Sequence, residues 1–272
     1  HISGGVTLNS SGSGGSVKFG TGSSTFKKAT INAGNGVTIN GDLSITGDSV
    51  FNTDYDSNGT GTFTVAATKA ITASTISISA NDFGVLGTIS SGTGSTTIAV
   101  SDGGTIGLGS TAGGMTISDT ELGNITAGTL NIGDSSTGNI TVDGISAANS
   151  NNATTVNLTT GSASSVSFSN NASTFQALGV NAGNGINQGV NITTGSTASL
   201  DADSNNDGSG DFSNSAGTFT TGGNTLSITA NDFSLSGALN TGSETTKIFV
   251  SDAGTIGLGS TSANMTISGA EL

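Results

Sequence analysis

The side chains best placed to do chemistry in this 272-residue chain are the oxygens of one loop, which occurs twice. The richer copy sets Asp201, Asp203, Asn205, Asp207 and Asp211 at alternate positions around Gly208 and Gly210. The other sets Asp54, Asp56 and Asn58 ahead of Gly59 and Gly61. Alternate oxygens before a sharp glycine turn are what a hard cation needs, so calcium is the candidate cofactor and these eight residues its candidate ligands. An EF-hand is excluded: its bidentate Glu at loop position 12 is replaced by Asn214 counting from Asp203, and by Val65 counting from Asp54. The same residues also fit a plain turn, in which Asp and Asn side chains bond their own backbone. Both readings stand on the sequence.

Little else can react. The chain has no Cys, Pro, Trp or Arg, and its one His is residue 1. That leaves no thiol nucleophile, no internal imidazole base or zinc ligand, and no guanidinium to clamp a phosphate. Polysaccharide-cleaving β-helices use paired Asp with His and Arg, which are missing here, so the expectation is a protein that is not an enzyme. A formal net charge of −13 with only five Lys argues against nucleic acid. No apolar run reaches 18 residues, so no transmembrane helix is expected.

The elements that must hold the loops are visible as a repeat. Residues 101–122 and 251–272 agree at sixteen of 22 positions, 150 residues apart. Asn81-Asp82-Phe83 returns as Asn231-Asp232-Phe233, and STFKKATINAGNG at 24–36 returns as STFQALGVNAGNG at 173–185. The last match is offset by 149, so one residue is gained between it and the Asn-Asp-Phe block. The chain therefore divides into a unit at 1–150 and a second, incomplete unit at 151–272, and reads as a window on a longer tandem array.

Within each unit short apolar alternations recur, such as Val37-x-Ile39, Ile98-x-Val100, Ile106-x-Leu108 and Ile256-x-Leu258, separated by Gly, Asn, Ser and Asp. Period two places both side chains on one face of a strand. An all-β chain follows. With Phe supplying 11 of the few aromatics and no Trp, two sandwich cores are poorly provided. A parallel β-helix, or β-solenoid, needs only a few inward side chains per coil. At about 20–22 residues per coil the chain makes roughly a dozen coils, a rod on the order of 60 Å, with all eleven Phe expected inside.

TIGLGST, M-T-I-S-x-x-E-L, NITAGTLNIG, STGNITVDG and the Asp-rich DADSNNDGSGDF resemble the repeats of filamentous-haemagglutinin-type exoproteins. The resemblance implies a right-handed parallel β-helix in a large bacterial surface or secreted protein, exported by two-partner secretion. The expected function is an extracellular structural module of a surface fibre, filament or adhesin. Expected partners are further copies of itself, end to end or side by side, and surface glycans or receptors on host or neighbouring cells. The alternatives are a calcium-stabilised carbohydrate-binding or polysaccharide-processing β-helix and a shaft like that of a phage tail spike.

Overall fold

A short amphipathic strand can bury its apolar side only against another surface, and a winding chain supplies that surface from its own next turn. The computed structural model describes residues 4–272, and there the chain winds into a parallel β-helix with three faces. The longest face stacks eleven strands in chain order: Gly5–Ser10, Lys28–Ala33, Asp48–Asn52, Thr75–Ala80, Ser95–Val100, Ile125–Ile132, Ala153–Thr159, Leu178–Asn181, Ala198–Asp201, Leu226–Ala230 and Thr246–Val250. All ten pairings along it are parallel.

In-register stacking makes one aliphatic ladder through this face. Leu8, Ile31, Phe51, Ile78, Ile98, Ile132, Leu158, Val180, Leu200, Ile228 and Ile248 lie in successive coils, each the register partner of the next. Burying each such side chain contributes about 1.5–3 kcal/mol. The second face carries Val37–Ile39, Thr62–Val65 and Asp82–Val85, then Ile106–Gly109, Ile140–Asp143 and their successors. Here Phe63 stacks on Phe83 at 6.0 Å, and one repeat later Phe212 stacks on Phe233 at 5.5 Å. Nine of the eleven Phe are buried; Phe26 is half-buried. Phe249 points outward because Ile248 and Val250 take the alternate, inward places beside it.

Coil length departs from the expected range. Four steps of the long face are 20 residues (Ala29 to Ser49, Ile76 to Thr96, Leu178 to Ala198, Leu226 to Thr246) and one, Val156 to Leu178, is 22. The remaining five steps are longer. The step from Ser49 to Ile76 is 27 because it carries the first acidic loop, and that from Ala198 to Leu226 is 28 because it carries the second. The step from Thr96 to Leu130 is 34, since an extra strand, Met115–Ile117, and a short helix, Asp119–Gly123, are inserted there.

Six coils lead from Ala29 to Leu178, 149 residues on, so the sequence repeat is a six-coil unit. The gained residue is a net change in two turns. Phe63 to Ile71 spans 8 residues and Phe212 to Phe219 only 7; Ile71 to Ile76 spans 5 and Phe219 to Leu226 spans 7. The two units run on as one solenoid with a single apolar core, and the long face crosses their boundary where Ile125–Ile132 pairs with Ala153–Thr159.

Candidate functional site

Each acidic loop is an insertion in an otherwise 20-residue coil, so its first task is to close on itself without opening the stack. Asp54 and Asp203 do this from inside, being 1% and 0% exposed. Asp203 accepts the backbone N–H of Asp207 on Oδ1 and of Gly208 on Oδ2, each at 3.1 Å. Asp54 accepts those of Asn58 and Gly59 in the same way, again at 3.1 Å. A third donor comes from two coils further on: Ser251 Oγ meets Asp203 Oδ2 at 2.6 Å, and Ser101 Oγ meets Asp54 Oδ2 at 2.7 Å. Three donors satisfy the oxygens of each buried carboxylate, as a buried polar group requires.

The glycines serve this closure. Gly59 and Gly208 have φ of 77° and 78°, the left-handed region that glycine enters freely. A Cβ on Gly61 would lie 1.7 Å from the Thr53 carbonyl oxygen, and one on Gly210 would lie 1.9 Å from that of Ala202. The base of the loop closes only around hydrogen there.

Backbone bonds then tie each loop to its neighbours. Tyr55 N–H donates back to Ala33 at 2.9 Å and Gly61 C=O accepts forward from Asn81 at 2.8 Å. Ser204 to Ala182 at 3.0 Å and Asn231 to Gly210 at 2.8 Å repeat them. With the serine contact, each loop staples four successive coils.

The remaining candidate ligands sit outside this closure. Asp56 and Asn58 are exposed and paired, Asn58 Nδ2 donating to Asp56 Oδ2 at 2.9 Å. In the other loop the residue types are exchanged but the bond persists, Asn205 Nδ2 donating to Asp207 Oδ2 at 2.7 Å. Asp211 accepts from the Asp232 N–H at 3.0 Å and from Asn231 Nδ2 at 3.2 Å. Asp201 is half-buried; burial raises its pKa, the Asp203 N–H counteracts that, and the Asp203 charge adds to the rise. Asp252, at a corner with φ of 55°, is also raised, by burial and by the charges of Asp203 and Asp207.

As a calcium site the loop fits poorly. The two buried carboxylates point at N–H and O–H donors, the outer oxygens are paired with amides, and among the described residues no three Asp, Glu, His or Cys side chains gather as a metal-holding group. The arrangement does what a turn rich in Asp and Asn does, extended over four coils.

Sequence reasoning missed a second set of acids, which splice the second face. That face is broken between Asp82–Val85 and Met115–Ile117. Asp82 Oδ1 crosses the break to accept Thr116 N–H at 3.2 Å, and Glu121 Oε1 crosses back to accept Val85 N–H at 3.0 Å. Asp232 to Thr266 at 3.0 Å and Glu271 to Leu235 at 3.1 Å repeat the splice. Glu121 also closes a capping box with Ser118 on the helix Asp119–Gly123. The near-identity of 101–122 and 251–272 was the signal available: residues that must bridge a fixed gap recur together.

The fold and its acids define a stapled parallel β-solenoid. Comparison with protein-family models, with curated proteins and with solved structures gives no match.

Proposed function

We propose that this chain is a structural module of an extracellular surface fibre or adhesin, a stiff rod that holds binding surfaces away from a cell. The observation that carries the reading is where the acids go. Asp54, Asp82 and Glu121, and their counterparts Asp203, Asp232 and Glu271, each accept backbone N–H groups with the same partners in both units. Side chains so committed hold coils together and are not free for turnover. Eleven stacked strands at about 4.8 Å give a rod of about 50 Å, and tandem units would multiply weak contacts into firm attachment. The likeness of the TIGLGST and NITAGTLNIG segments to filamentous-haemagglutinin-type repeats supports the same reading.

The test is placement and adhesion on the cells that make the protein. Antibody against the folded chain should label intact cells, and beads coated with the chain should be retained on glycan or host-cell layers. Labelling only after lysis, with no retention of beads, would overturn the proposal.

A further inference from the structure

The repeat sets how many strands each face must stack per unit, and the long and second faces differ in that number. From Lys28–Ala33 to Leu178–Asn181 the long face climbs six steps, each a pair of parallel strands. From Val37–Ile39 to Ile186–Gln188, the strands that follow those two in the chain, the second face climbs seven. The extra step is Met115–Ile117. The chain first lays down Ile106–Gly109, then turns back to place Met115–Ile117 beneath it, in the gap next to Asp82–Val85 that the two carboxylates bridge. At about 4.8 Å per step, the second face is taller than the long face by about 5 Å over one unit.

Sliding one face against the other does not absorb this difference. The turn that joins the two faces is the same at both ends of the unit, NAGNG at 32–36 and at 181–185. Its amides reach equivalent neighbours: Asn35 N–H donates to Gly15 and Gly36 N–H to Thr53, as Asn184 does to Ser164 and Gly185 to Ala202. The two faces therefore begin and end the unit with the same offset. A uniform twist of the stack lengthens all faces alike, so it does not absorb the difference either. What remains is curvature. The device recurs in the second unit, where Met265–Ile267 pairs with Ile256–Leu258 and Asp232 and Glu271 supply the splice.

We infer that each unit of the solenoid is bent, with the second face on the outside of the curve. Faces about 10 Å apart whose heights differ by about 5 Å set a bend on the order of 30° per unit. In a tandem array the bends add, and the fibre is an arc or superhelix with a concave side, the form in which solenoids present extended binding surfaces. The bend rests on how the strands stack and not on what the fibre attaches to. It deepens the rod reading by making the rod a curved one.

Distances between paired spin labels test it on the 272-residue chain, which has no Cys of its own to compete for the label. Val50→Cys with Ser199→Cys labels the long face across six steps. Thr38→Cys with Asn187→Cys labels the second face across seven. All four side chains point outward, and both variants should keep the parent's circular dichroism. Double electron–electron resonance should read the second-face pair longer than the long-face pair by about 5 Å or more. A control uses coils without the extra strand: Asn157→Cys with Ser227→Cys and Ser167→Cys with Ser234→Cys each span three steps and should give equal distances. Equal distances for the first two pairs overturn the bend. So does a control difference as large as theirs, because the extra strand would then not be its source. Either result leaves surface labelling and bead retention, and so the rod proposal, untouched.

Discussion

At the scale of the residue, Asp201 and Asp203 stand two positions apart and do opposite things. Asp203 is sealed in and meets three donors. Asp203→Asn puts an amide N–H where one of those donors points, and should lower the free energy of unfolding by about 2 kcal/mol. Asp54→Asn should do the same, and urea denaturation reads both. Asp201 is held above the ordinary carboxylate range by burial and by its neighbour's charge. A raised folded pKa means that ionisation is disfavoured in the fold, so stability present below about pH 4 is lost as pH rises through the folded value. Asp201→Asn, which installs the residue found at Asn52 in the first unit, should therefore raise the urea midpoint at pH 7. The gain should vanish in acid, where Asp201 is already neutral; an equal gain at both pH values would show that charge is not the cause.

At the scale of the element, one stacked pair of buried side chains is apolar in the first unit and polar in the second. Ile39 stacks on Val65 in the first, whereas Gln188 stacks on Asn214 in the second, and both latter residues are at most 1% exposed. Among the described residues Gln188 Oε1 and Asn214 Nδ2 find no hydrogen-bond partner. Unpaired buried polar atoms cost on the order of 1–3 kcal/mol each, but Gln188 Nε2 also donates to Val190 C=O and Asn214 Oδ1 accepts Gly237 N–H. Gln188→Ile with Asn214→Val removes both the cost and these bonds, so the urea midpoint should stay close to the parent's. Strands were legible because inward and outward residues alternate in chemistry as well as in place: Ile76, Ile78 and Ala80 face in while Thr75, Ser77 and Ser79 face out. Loop closure was half legible, since Asp-x-Asn before Gly serves a cation and a turn alike until the N–H groups are placed. The splice was legible only as the recurrence of its residues in both units, because Asp82 reaches a strand 34 residues on and no local pattern encodes that distance. The corner threonines were not legible: buried Thr160 and Thr194 return their hydroxyls to Ser164 and Ser196 carbonyls, a role that an outward-facing Thr shares in sequence. The helices Asp119–Gly123 and Ala147–Ser150 are too short to show a helical period.

At the scale of the whole molecule, the apolar core is continuous but is built coil on coil, so its stability is a sum of local terms along the axis. The staples alter that sum by coupling coils that are not adjacent. The first ties Ala33, Asn81 and Ser101 to the loop at Asp54; the second ties Ala182, Asn231 and Ser251 to the loop at Asp203. Between them the coil step from Thr96 to Leu130 and its successors are joined by strand pairing, the splice and side-chain bonds that reach only the next coil, such as Asp119 with Ser146 and Asn149 and Asp143 with Asn171. The rod should therefore open in two blocks, each bounded by its staple, a sub-global unfolding of the kind that amide exchange detects. Hydrogen exchange read by mass spectrometry should show Asp203→Asn accelerating amides from about residue 180 onward while those of 29–103 keep the parent's protection; Asp54→Asn should give the converse. Equal acceleration along the whole rod from either substitution would mean that the coils open together, and that the loops are decoration on a cooperative stack rather than the devices that divide it.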